Sequence, residues 1–216
     1  MGYNTTPTTE DTSIIVGASF TAVDGTGFVP LSALTSPQGL ETYDQVQKAY
    51  TDGEGVTQLR TYEYDENDGW LDMEDNYTPC GDTEGFELGT SAWFISAGEA
   101  KSITTSGAVK SGNKVHAFTE TSVLCASAFP VDFCPNSANV SWGIETYDQI
   151  QVAYTDGEGV TQLRTYEYDE NDGWLDMEDN YRTLEATESV VKAGQGFWLI
   201  LQDAASTFTE VSPLAE

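Results

Sequence analysis

The chain has 216 residues, with 36 acidic side chains, 8 basic ones and a single histidine, for a formal net charge of −28 at pH 7. So acidic a surface repels polyanions, which excludes nucleic-acid binding and attraction to an anionic membrane. With 39% apolar and 12% aromatic residues it is too rich in core formers for a disordered polyelectrolyte, and no apolar run is long enough to span a bilayer.

The first thirteen residues, MGYNTTPTTEDTS, are polar and Thr-rich and are expected to form an extended arm. No signal-peptide pattern opens the sequence, so either the chain is a mature form or its export uses another signal. SIIVGASF follows, a β-branched run bounded by turn formers, and reads as a strand. Over 43–50, Val46, Lys48 and Tyr50 alternate with Gln45, Gln47 and Ala49, the period of a half-buried strand. Asp52-Gly53-Glu54-Gly55 supplies a turn, and VTQLRTYEYD predicts a second strand over 56–64 that closes a hairpin. Asn67-Asp68-Gly69 turns the chain again just before Trp70, and SAWFIS (91–96) reads as a further strand. Nowhere does a dozen-residue window show helical periodicity, and 72–77 has room for one helical turn at most.

Past Ser111-Gly112-Asn113 the same sequence returns. Residues 145–181 repeat 41–77 at an offset of 104, differing only in Val46 to Ile150 and Lys48 to Val152. The flanks match more weakly: TSIIVGASF with TSVLCASAF, and GTSAWFIS with GQGFWLIL. Strands are therefore expected over 146–154, 160–168 and 196–201. The organisation predicted is all-β, with an arm at 1–13 and two tandem β-sandwich or barrel-like modules related by duplication, at 14–112 and 113–216. The near-identity of the two middles, against diverged flanks, has two explanations: recent gene conversion, or one surface task performed twice.

The order AFPVDF, TYDQIQVAY, TYEY, DGWLD, AGQGFWLI in the second half resembles β-rich repeat modules of uncharacterised secreted bacterial proteins. Those modules run from an N-P-F-P-like start through a D-x-I-Q strand and a G-W turn to a G-x-G-F-W closing strand. The first half departs from this pattern, with ASFTAVDG in place of the Pro start and Thr90-Ser91-Ala92 in place of the Gly-Phe pair. The resemblance implies an exported, non-catalytic surface or assembly role and brings no catalytic residues with it.

Three groups of residues are candidates for chemistry. Asp65, Asn67, Asp68, Asp72 and Asp75, with Asp169, Asn171, Asp172, Asp176 and Asp179 in the second copy, offer the dense oxygen ligands that Ca²⁺ takes, although not in EF-hand register; the plainer alternative is a solvated acidic loop. Trp70 and Trp174, with Tyr62, Tyr64, Tyr166 and Tyr168, are candidates for an interface or a sugar-stacking platform, or else Trp folds back to cap the core. Cys125 and Cys134 flank Phe129-Pro130 and suit a hairpin-closing disulfide, with Cys80 left over; three buried thiols are the alternative. No cofactor other than Ca²⁺ is a candidate, and no enzymatic activity is expected. The function expected is that of an extracellular structural protein, a filament or surface-layer subunit, whose partner is its own kind in head-to-tail contact. Calcium-dependent adhesion or glycan binding is the alternative.

Overall fold

The computed structural model describes residues 2–6, 13–18, 28–203 and 205–213. Among them the chain is all-β. The first half contains β1 (Gly2–Thr6), β2 (Ser13–Gly17), β3 (Phe28–Pro30), β4 (Gln45–Thr51), β5 (Thr57–Asp65), β6 (Gly69–Asp72), β7 (Thr78–Pro79), β8 (Gly85–Glu87), β9 (Ser91–Ile95) and β10 (Ile103–Gly107). The second contains β11 (Lys114–Ala117), β12 (Ser122–Ala126), β13 (Val140–Gly143), β14 (Gln149–Thr155), β15 (Thr161–Asp169), β16 (Gly173–Asp176), β17 (Arg182–Thr183), β18 (Gly196–Ile200) and β19 (Thr207–Glu210). A single 3₁₀ turn, Leu31–Ala33, is the helical content.

Two six-stranded antiparallel sheets carry the fold, ordered β2-β9-β4-β5-β6-β7 and β12-β18-β14-β15-β16-β17. Each element of one has its counterpart in the other, and the registers agree: Ser13 faces Ile95 as Ser122 faces Ile200, and Tyr62 faces Asp72 as Tyr166 faces Asp176. Smaller sheets, β1-β10, β3-β8 and β11-β19-β13, complete the structure in sandwich-like fashion.

The expected hairpins are present, with one consistent shift. The strands expected from 43 and 146 begin at Gln45 and Gln149. Tyr43 and Tyr147 have φ of 79° and 78°, and the Asp44 and Asp148 carboxylates accept from the Glu41 and Glu145 N–H groups at 2.8 and 2.9 Å. The chain is thus still in a side-chain-capped turn where the alternation already looks like strand. The expected arm differs more. Residues 2–6 form β1, antiparallel to β10, so that stretch belongs to a sheet of its own chain. The rest of the arm, 7–12, and Ser19-Phe20 of the expected first strand lie outside the described residues.

Period two places the core. Val46, Tyr62, Trp70 and Phe94 meet on one face of the first sheet, under Leu31, Leu34 and Phe86. In the second, Ile150, Val152, Tyr166, Trp174, Phe197 and Leu199 do the same under Phe133, Val191 and Phe208.

Candidate functional site

The acidic turns hold themselves together. Asp65 Oδ1 accepts from the N–H groups of Asn67 and Asp68 at 2.8 and 3.1 Å, and Asp169 does the same for Asn171 and Asp172. These bonds, that to Asn67 or Asn171 foremost, hold both carboxyls below their ordinary range. Asp72 and Asp176 are buried and pair with Arg60 and Arg164 across the hairpin. Burial alone would raise the Asp72 pKa; the Arg60 guanidinium and the Glu74 N–H outweigh it and hold it low. Among the described residues no three acidic, His or Cys side chains are grouped to hold a metal ion. In the expected calcium set, Asp65, Asn67, Asp68, Asp72, Asp75 and its copy Asp169, Asn171, Asp172, Asp176, Asp179, the carboxylates of Asp65 and Asp169 are turn caps and those of Asp72 and Asp176 are ion-pair partners.

The exposed aromatic platform is corrected. Trp70 and Trp174 are 2% and 0% exposed, and Tyr62 and Tyr166 are buried. After the left-handed Gly69 and Gly173 the indoles fold back into the core, where Tyr64 and Tyr168 stand partly buried against them at 5.4 and 5.5 Å between centroids. The tyrosines that face solvent are others: Tyr43, Tyr50 and Tyr77, with Tyr147, Tyr154 and Tyr181.

Cys125 and Cys134 are free thiols, as is Cys80. The disulfide is not formed because the expected hairpin is not there. Cys125 lies opposite Phe197 in β18, while Phe133, beside Cys134, bridges to Val191, so the two cysteines stand on stretches with different pairing partners. Burial pushes the Cys80 thiol up to about 11 and raises Cys125 and Cys134, so none is a ready nucleophile at neutral pH.

The most ordered polar groups escaped the sequence reading. Asp44, fully buried, receives Lys101 Nζ on both oxygens at 2.9 and 2.8 Å and the Ala97 N–H at 2.9 Å. Glu210, also buried, meets His116 Nε2 at 2.7 Å, and it accepts from Ser127 Oγ at 2.6 Å and the Ala128 N–H at 2.9 Å. Ser, His and Glu are thus together, but the serine hydroxyl donates to the carboxylate and not to the imidazole. The group ties β11 to β19. Nothing in the local sequence signals these contacts, which join residues 57 and 94 positions apart.

The two six-stranded sheets meet face to face through the same surface. Ile15, Ala49 and Trp93 of the first pack with Leu124, Ala153 and Trp198 of the second, their own counterparts. The backbone contacts are reciprocal. Gly17 N–H donates to Gly194 O at 2.8 Å and Ala126 N–H to Gly89 O at 3.0 Å; Val16 bridges to Gln195 as Cys125 bridges to Thr90. Such reciprocity defines an isologous contact, which closes on itself.

Along this seam the approach is closest at two places. A Cβ on Gly17 would lie 2.4 Å from the Cβ of Ala126, and a Cβ on Gly196 would lie 2.3 Å from that of Ser91. Gly17 is the counterpart of Ala126, and Gly196 that of Ser91. At each point one side is glycine because two Cβ atoms do not fit.

A half-open cleft of about 750 Å³ lies over the β6 end of the first sheet, lined among others by Ser32, Ser36, Tyr64, Asp68, Trp70 and Asp82. Among the described residues no Lys or Arg lines it. No family model matches this chain, and no curated protein and no solved structure is significantly similar to it.

Proposed function

We propose that the chain is a non-catalytic extracellular structural protein of two duplicated β-sandwich modules, 14–112 and 113–216, which assembles head to tail by exchanging modules between chains. One observation carries this reading, the pairing of Gly17 with Ala126 and of Ser91 with Gly196 across the seam. Two first modules would set Ser91 against Ser91, and two second modules Ala126 against Ala126; each like pairing carries a clash that the unlike pairing avoids. The faces are thus coded for first-with-second contact, which sets pairing by penalising the wrong partner.

A first module accepts any second module, including that of a neighbouring chain. The join around Ser111-Gly112-Asn113 is short, with Gly112 at φ 73°. Exchange of like elements between chains needs no new interface, and unclosed exchange propagates as a filament. The extracellular setting rests on the resemblance to secreted modules.

The test is deletion of Ser111, Gly112 and Asn113, followed by light scattering on the eluting species. A join too short to fold back forces exchange, so closed dimers or longer chains are expected. A monomer with unchanged stability at high concentration would overturn the assembly reading.

A further inference from the structure

We infer that the cleft of the first half is a binding site for an acetamido group carried on a neutral sugar, an N-acetylhexosamine of a glycan. The inference comes from comparing the two copies and is independent of the assembly reading.

The leading strands lie 109 residues apart and the long repeat 104, so the spacing changes between them; Val29 faces Phe86 as Phe133 faces Val191, which carries the offset of 104 back to this stretch and sets Ser32 at the position of Asn136 and Gln38 at that of Trp142. In the second copy the Asn136 carboxamide is clamped against the strand edge. Its Oδ1 accepts from the Trp174 N–H at 2.9 Å, and its Nδ2 donates to Leu184 O at 2.9 Å and to Trp174 O at 3.2 Å. The Trp142 ring packs beside it, 4.9 Å from Trp174. One segment of the chain thus plugs the site with an amide and a ring.

The first copy keeps the edge and lacks the plug. Ser32 is too short to reach, and its hydroxyl donates to Asp82 at 2.7 Å. The Gln38 amide oxygen accepts from the Ser102 N–H at 3.1 Å. The emptiness shows in a second measure: a Cβ on Gly173 would collide with Asn136 Oδ1 at 2.6 Å, whereas a Cβ on Gly69, in the same backbone conformation, meets nothing within 4 Å. The Trp174 N–H and carbonyl that grip the Asn136 amide have their counterparts in Trp70 beside an open cleft; the Cys80 carbonyl, counterpart of Leu184 O, is already taken by the Thr83 and Glu84 N–H groups at 2.9 Å each.

An acetamido group presents the same chemistry, a carbonyl to accept from the Trp70 N–H and an N–H to donate to a carbonyl. The rim selects what carries it. Asp68, Asp82 and Ser36 suit the hydroxyls of a sugar ring, Tyr64 supplies an aromatic wall, and the lack of Lys and Arg disfavours an anion. The volume, about 750 Å³, holds a ring or two. A peptide bearing Asn and Trp, as in the chain's own plug, is the rival ligand; it would have to set its backbone against a rim rich in acceptors.

The test is titration calorimetry of the full chain with N,N′-diacetylchitobiose, with cellobiose, and with the peptide of residues 136–142. Diacetylchitobiose is expected to bind at least about tenfold more tightly than cellobiose, the margin of a site whose Trp70 N–H lacks the amide oxygen that its counterpart has. Ser32→Asn, which rebuilds the plug, is expected to abolish binding while leaving the melting temperature equal or higher, so that lost binding is not lost folding. Ser137→Ala, at the plugged copy, serves as a control and leaves binding unchanged. Equal binding of the two disaccharides, no binding by either, or unchanged binding in the Ser32→Asn variant would overturn the proposal. Tighter binding of the peptide than of the sugar would replace it with a peptide site.

Discussion

Lys101 lies with both oxygens of Asp44 within 2.9 Å of its Nζ, and neither side chain is more than 3% exposed. The counterpart of Asp44 in the second half, Asp148, is equally buried but is held by two backbone N–H groups, of Glu145 and Gln202, at 2.9 and 2.6 Å. The first copy keeps the matching pair of amides, of Glu41 and Ala97 at 2.8 and 2.9 Å, and adds the cation to them. Removing one member of a buried pair leaves an uncompensated charge. Lys101→Met is expected to cost about 3–5 kcal/mol, read from urea denaturation. Lys101→Met combined with Asp44→Asn is expected to recover part of that loss, since the buried charge is then gone.

The seam glycines give a reciprocal test. Gly17→Ala forces two Cβ atoms into contact and is expected to destabilise by about 1–3 kcal/mol, the usual cost of overpacking. Ala126→Gly in the same chain returns one Cβ to the gap and is expected to restore most of the stability. Gly196→Ala is expected to be rescued less by Ser91→Gly, because its Cβ would also lie 2.5 Å from the Ile15 Cγ2. Thermal melts of the four single and double variants measure the coupling.

Acid unfolding follows from the turn caps. The Val56 and Val160 N–H groups, with the Gln58 and Gln162 amides, hold Asp52 and Asp156 below the ordinary carboxylate range, as the turn amides hold Asp65 and Asp169 and as Arg182 holds Glu188. A carboxyl whose folded pKa is depressed contributes stability that is present above its unfolded pKa of about 4 and is lost as pH falls through the folded value. Stability is expected to decline below about pH 4. Melting curves between pH 6 and pH 2.5 at fixed ionic strength check the direction; a melting temperature that kept rising to pH 2.5 would contradict it.

Salt acts in the opposite sense at neutral pH. With a net charge of −28 the folded chain repels itself, and screening relieves that repulsion. Added NaCl is expected to raise the melting temperature. CaCl₂ at matched ionic strength is expected to do no more than about the same, because the central carboxylates of the acidic turns are already engaged. A larger, EDTA-reversible shift with calcium would reveal an ion site.

Trp174→Ala is expected to cost about 3–5 kcal/mol, because the indole is fully buried beneath Trp142. Trp70→Ala is expected to cost less, because its surroundings open onto the cleft. Denaturant titrations followed by circular dichroism rank the two.

Much of this protein was determined locally and was legible in its residues. Alternation over Val46, Lys48 and Tyr50, the Asp-Gly and Asn-Asp-Gly turns, and the repeat predict the hairpins β4–β5 and β14–β15 to within a few residues, because period two and left-handed glycine are short-range properties. What those residues do was decided by the tertiary structure. Trp70 and Trp174 read as a cap or as a platform, and only the packing of β3 and the Leu31 turn, or of Phe133 and Trp142, puts them inside. The acidic turns look like ligands until the backbone amides they cap are in place. Cys125 and Cys134 are close in sequence but stand on stretches with different pairing partners, because β12 pairs with β18 rather than with the chain that follows it. Gly17 and Gly196 carry no local signal of their purpose. Their need for a missing Cβ arises from chain more than 70 positions away, where the two sheets approach. Local sequence sets φ, ψ and periodicity; which atoms are left without room, and which polar groups without water, is a property of the assembled layers.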